Sequence, residues 1–182
     1  MAGSLNLVDK FTVSSGVSSV TIGGGSSGSS SYNFAIDSTY DVYKLIISGL
    51  EADTDSSTVQ IRVTKSGTAQ TDSEYDKACM QLKAYNTFTN DSGTNATFWD
   101  FNQIGTTSGS TFDLTAYLFN FANAEYSFAT FEAATSDTTI DFRGNQGGGV
   151  HTVASASDGI NVFLSTGGNI DSGEFKLYGL RK

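Results

Sequence analysis

A chain of 182 residues with 38% hydrophobic and 12% aromatic side chains can bury one sizeable core. Its formal net charge of −9, carried on only 16% charged residues, repels a phosphate backbone and argues against nucleic-acid binding. One Cys and one His exclude an intrachain disulfide and a structural zinc site of the usual Cys/His type, and no apolar run reaches membrane-spanning length. Ser, Thr, Asn and Gly fill the surface that charge leaves, and these residues favour turns and strand faces over helix interiors. Met1-Ala-Gly-Ser reads as a cytoplasmic start without a basic-then-apolar leader.

From the N-terminus, residues 7–13 and 17–22 flank Ser14-Ser15-Gly16 and read as a hairpin over about residues 5–22. A Gly/Ser tract, 23–31, follows. Gly23 to Gly28 formally matches G-x-G-x-x-G, but Ser29-Ser30-Ser31-Tyr32 is no helix start, so no nucleotide site is expected. The preceding hairpin is too small to stand alone, so the tract is expected as a long loop inside one domain spanning 1–182.

Period-two alternation then dominates. Tyr43, Leu45 and Ile47 alternate with Lys44 and Ile46; Val59, Ile61 and Val63 with Gln60 and Arg62; Trp99 and Phe101 with Asp100 and Asn102. Turn clusters are expected at 53–57, 90–93, 105–110 and 144–149. Residues 72–84 carry helical spacing in Tyr75, Ala78, Cys79 and Leu82, yet a loop entering a strand is the preferred reading. Cys79 then sits in that strand as a small buried hydrophobe. The spacing of strands and turns predicts an all-β antiparallel sandwich of about ten to twelve strands with little helix.

Residues 112–121 are apolar on both faces, which suits either a central strand or one covered by another chain. The absence of Pro says that sheet edges are blunted by charge, bulges or a neighbour instead. The interface candidates are Tyr117, Phe119 and Phe121, with Leu5 and Leu7 on the first strand. Trp99 and Tyr85 are candidates for stacking on sugars in a glycan-binding alternative.

No pattern for catalysis, cofactor or metal is complete. His151 stands alone and reads as an exposed or loop-edge residue, and no serine lies in G-x-S-x-G. Glu125, Glu132 and Glu174 are the best-placed carboxylates, but no aromatic-flanked acidic pair stands out. Residues 53–57 fail the EF-hand pattern, with Thr58 and Thr64 where Gly and Glu are required. No catalytic residue, cofactor or metal ligand is therefore assigned.

Asp158-Gly159 signals a turn; Ile160, Val162 and Leu164 then alternate with Asn161, Phe163 and Ser165 up to a Gly-rich loop over 166–173, and Phe175, Leu177 and Gly179 alternate after it. Phe175 and Leu177 are expected in the core. Gly167, Gly168, Asn169, Ile170, Gly173, Phe175, Leu177, Tyr178, Gly179 and Leu180 make this stretch resemble the closing hairpin of a family of tailed-phage virion proteins. That family ends in a GGN-hydrophobic-xxG loop and an F-x-LYG-hydrophobic strand. The opening Val8-Asp-Lys-Phe-Thr-Val and Val17-Ser-Ser-Val-Thr-Ile, Tyr43-Lys-Leu-Ile-Ile-Ser-Gly and Val59-Gln-Ile-Arg-Val resemble its earlier strands. The chain departs from the family in its Phe-rich middle, residues 112–131.

The resemblance implies a jelly-roll-like sandwich that decorates capsids or forms fibres or tail parts. Its implied partners are other copies of itself, as a trimer or higher, and virion proteins such as the major capsid protein. It implies neither nucleic acid nor membrane as a partner, and it places the protein in the virion, assembled in the host cytoplasm.

Overall fold

Alternating side chains become strands wherever one face can be buried. The computed structural model describes residues 4–24, 35–137, 139 and 141–180. They form β1 (Leu5–Val13), β2 (Ser19–Gly23), β3 (Val42–Ala52), β4 (Ser57–Lys65), β5 (Thr68–Ala69), β6 (Tyr75–Lys83) and β7 (Thr89–Ala96). There follow β8 (Trp99–Ile104), β9 (Phe112–Phe119), β10 (Ser127–Ser136), β11 (Phe142–His151), β12 (Gly159–Leu164) and β13 (Ile170–Leu180). One short 3-10 turn, Ser165–Gly167, is the only helical element among the described residues. Thirteen strands replace the expected ten to twelve, one of them only two residues long.

The strands build two antiparallel sheets, the all-β sandwich expected from the sequence. One sheet has eight strands in the order β1-β13-β3-β9-β10-β11-β6-β7; the other runs β2-β12-β4-β5, with β8 also paired to β4. The chain crosses from one sheet to the other eight times, at β1–β2, β2–β3, β3–β4, β5–β6, β7–β8, β8–β9, β11–β12 and β12–β13. Strands β1-β13-β3-β9 with β2-β12-β4-β8 thus have the two-Greek-key winding of a jelly roll. Two inserted hairpins, β6–β7 and β10–β11, extend the larger sheet beyond β9.

The core lies between the sheets. Tyr43, Leu45, Ile47, Leu114, Leu118, Phe175 and Leu177 enter it from the larger sheet, and Val20, Ile22, Val59, Val63, Ile160 and Val162 from the smaller, all at most 2% exposed. Phe175 and Leu177 are core residues, as expected.

Both expected hairpins are corrected. β1 pairs with β13 and β2 with β12, so neither β1–β2 nor β12–β13 is a hairpin. Each is an arch between the sheets. Hairpin partners share a face; an arch instead turns two buried faces toward each other, with Val13, Val20 and Ile22 buried at the first and Leu164 and Phe175 at the second. The arches are clipped together by reciprocal bonds: the Val17 amide donates to the Ile170 carbonyl (3.0 Å) and the Ile170 amide to Val17 (2.8 Å).

The Gly/Ser tract falls mainly outside the described residues. Its flanks meet at one atom: the amides of Gly24 and Ile36 both donate to the Asp158 carbonyl, at 2.9 and 2.8 Å. Two expected turns are strand instead. Residues 90–93 lie in β7 and residues 144–149 in β11. The β11 glycines serve close packing: a Cβ on Gly147 would stand 2.3 Å from the Ala78 carbonyl oxygen. Residues 72–74 are a loop leading into β6, which is a strand, as preferred.

Candidate protein interface

The outer face of the eight-stranded sheet is not covered by any described element of this chain. Register fixes what it displays. Leu5 pairs with Leu180, Leu180 with Val42, Val42 with Phe119, Phe119 with Phe128, and Phe128 with Val150. The result is an apolar row across six adjacent strands, about 24 Å long at a strand spacing near 4.8 Å. Leu5 is 51% exposed and Phe128 44% exposed; the four others are half-buried by their neighbours.

A second row runs beside it: Leu7, Tyr178, Lys44, Tyr117, Thr130 and Gly148. Here the Lys44 ammonium lies over the Tyr117 ring, 5.3 Å from its centroid. A third row holds Lys10, Lys176, Ile46, Thr115, Glu132 and Gln146. Glu132 accepts from the Gln146 amide at 2.9 Å, and Lys10 and Lys176 both pair with Glu174. Two shallow hollows of about 310 Å³ each open on this face, one along Ile46, Thr115 and Glu132 and one along Tyr117, Thr130 and Gln146.

Four of the five interface candidates, Leu5, Leu7, Tyr117 and Phe119, are brought together on this face. Phe121 is corrected: it is 1% exposed and belongs to the core. Period two would put it beside Phe119, but β9 ends there and Asn120 takes φ 62°, which turns the chain inward. β9 is a central strand between β3 and β10, with Leu114, Ala116 and Leu118 facing the core while Tyr117 and Phe119 face out. Phe128 escaped the sequence reading, although its odd spacing from Phe131 places the two on opposite faces of a strand.

Trp99 is also corrected. At 2% exposure it cannot stack on a sugar; its indole donates to the Asp76 carbonyl at 3.1 Å and its ring meets Tyr75 edge-on. Tyr85 is 46% exposed, with the Arg143 guanidinium 5.5 Å from its ring centroid. His151 is corrected from exposed to fully buried, packed on Tyr75 with Nε2 3.3 Å from a Glu74 carboxylate oxygen. Burial and the nearby Lys65 charge lower its pKa, against the pull of Glu74.

The remaining polar clusters brace the fold. Asp53 accepts from both the amide and the side chain of Asn169, each at 2.8 Å, and Asp55 accepts from the Thr106 amide at 3.1 Å. The GGN loop is therefore tied to the β3–β4 turn, and the acidic turn spends its carboxylates on protein donors. Beneath β7, Lys77 is 7% exposed and its ammonium bonds Asp91 (2.6 Å) and Asp100 (2.8 Å). Burial opposes its charge, but the two carboxylates outweigh that and raise its pKa. Cys79 is buried, as expected, and burial raises its thiol pKa. Among the described residues no group of three or more His, Cys, Asp or Glu is placed to hold a metal. No family model, curated protein or solved structure matches this chain.

Proposed function

We propose that this chain is a structural protein of a tailed-phage virion, acting by protein–protein contact as a capsid decoration or cement protein or as a head fibre. The single observation that carries the reading is the apolar row from Leu5 to Val150, displayed on a sheet face that the chain leaves open. Exposed contiguous apolar surface on an acidic, otherwise polar chain marks a contact surface. The resemblance of residues 167–180 to the closing strands of virion proteins supplies the setting. The edges fit the same role. β1 is bulged between Leu7 and Asp9, β5 is two residues long and β7 is polar apart from Gly93 and Ala96, all devices that discourage edge pairing and leave the face as the contact. The test is incorporation into particles. The Phe119→Ser/Phe128→Ser variant should keep its melting temperature yet fail to co-purify with particles; equal incorporation overturns the reading.

A glycan-binding tip is the second reading, favoured by Tyr85, Phe88 and Phe142, which are 46%, 64% and 47% exposed around the β6–β7 turn. A glycan array without hits removes it.

A further inference from the structure

We infer that the occupant of the open face is a second copy of this chain, docked sheet on sheet about a two-fold axis running along the strands between β3 and β9. This rests on the reading above that the face is an assembly surface. An isologous contact must be self-complementary, with each residue meeting its image. The axis exchanges β3 with β9, β13 with β10, and β1 with β11. The register then decides every opposition. In the apolar row Val42 meets Phe119 of the partner, Leu180 meets Phe128, and Leu5 meets Val150. In the second row Lys44 meets Tyr117 of the partner, repeating across the contact the cation–π pair seen within the chain. In the third row Lys176 meets Glu132 of the partner, and Lys10 meets Gln146.

Charge points the same way. The chain carries −9, so most of its surfaces repel their own copies. Glu174, which pairs with Lys10 and Lys176 within the chain, and Asp113 flank these rows, so the face balances three Lys against three carboxylates where the chain as a whole is acidic, and the two-fold brings a Glu132 of the partner to each Lys176. The hollow along Tyr117, Thr130 and Gln146 lies opposite Lys176 and Tyr178 of the partner, which gives those long side chains somewhere to go. Size is sufficient. Six strands of eight to eleven residues span roughly 29 by 30 Å, near the ~800 Å² per partner of a standard interface. The shared strand direction suits aligned sheet packing, rotated by about 30° through sheet twist.

The test is a charge swap within one chain, read by sedimentation equilibrium. The wild type should dimerise at micromolar concentration. Glu132→Lys and Lys176→Glu alone each place two like-charge contacts at the two-fold and should weaken the dimer at least tenfold. The double variant Glu132→Lys/Lys176→Glu restores both pairs and should return within about threefold of wild type. Far-ultraviolet circular dichroism verifies folding, and the rescue itself excludes misfolding as the cause. A monomeric wild type at 100 μM, or single reversals without effect, or a double variant no better than the singles, overturns the proposal. Incorporation of a monomeric wild type into particles would overturn self-pairing alone and leave the virion reading standing, with a different chain on the face. A normally paired protein that never enters particles would overturn the virion reading alone.

Discussion

Replacing Gly149 by Ala tests how the extension of the larger sheet is held to the core. The added Cβ would stand 2.5 Å from Trp99 Nε1, 2.8 Å from Cδ1 and 2.9 Å from the Asp76 carbonyl oxygen. An ordinary contact needs about 3.4 Å or more, so the indole must retreat by roughly 1 Å in a close-packed interior. Retreat loses the indole bond to Asp76, about 1 kcal/mol. It disturbs the edge-on Tyr75 contact, about 0.5–1.5 kcal/mol. Overpacking adds about 1–3 kcal/mol. The reduced freedom of the unfolded chain returns about 0.4–1 kcal/mol. The net is a destabilisation of about 1.5–5 kcal/mol, or roughly 3–20 °C in melting temperature for a domain of this size. Trp99 is the only tryptophan, so urea unfolding followed by its fluorescence reads stability and environment together. Gly149→Ala should lower the midpoint and shift native emission to the red. Gly93→Ala, at another strand glycine with nothing within 4 Å of its Cβ position, should stay within about 0.5 kcal/mol of wild type. Equal stability and unshifted emission in Gly149→Ala would refute the packing described for β8 against β11.

Further outcomes are expected elsewhere. Lys77→Met leaves Asp91 and Asp100 without their shared cation and should cost about 2 kcal/mol, less than a fully buried pair because both carboxylates keep water contact; an unchanged urea midpoint would count against it. His151 is held neutral in the fold, so the unfolded chain takes up the extra proton as pH falls below about 6.5. Stability should therefore drop between pH 7.5 and pH 5, and His151→Phe should flatten that part of the profile; a parallel profile in the variant refutes the assignment. Asp137 behaves in another window. Burial pushes its carboxyl up, but bonds from Thr139, the Asp141 amide and Arg143 hold it down to about 2, so its contribution is complete above pH 4 and lost between about 4 and 2. Asp137→Asn should be less stable at pH 6 and lose the difference by pH 2, as measured by thermal melting. Asp158→Ala removes the acceptor of the Thr64 hydroxyl (2.6 Å) and the Gly67 amide (3.0 Å) and should cost about 2 kcal/mol by the same measurement.

Much of the candidate surface was legible residue by residue. Leu5, Leu7, Tyr117 and Phe119 were identifiable as large apolar side chains with the wrong parity for a buried face or on an edge strand. Their convergence was not, because Leu5 and Val150 meet only through a register running β1-β13-β3-β9-β10-β11. Phe121 and Trp99 misled for local reasons. A positive φ at Asn120 reverses the parity of Phe121, and Trp99 is large enough to serve either surface or core until Gly149 makes room for it.

The sequence by itself determined most of the strands, their two faces and the all-β class, because period two is a property of one extended segment and water selects which side is buried. It also determined that two strands flank a Gly-rich loop, which it placed over 166–173, although β13 takes in residues 170–173. Only the tertiary structure decided that these strands, like β1 and β2, sit in opposite sheets rather than in one hairpin. The reason is physical: alternation specifies that a face must be covered, while what covers it depends on partners far away in the chain. The same freedom let glycines at 144–149, which alone suggest a turn, serve as the flat ground on which Cys79 and Trp99 pack.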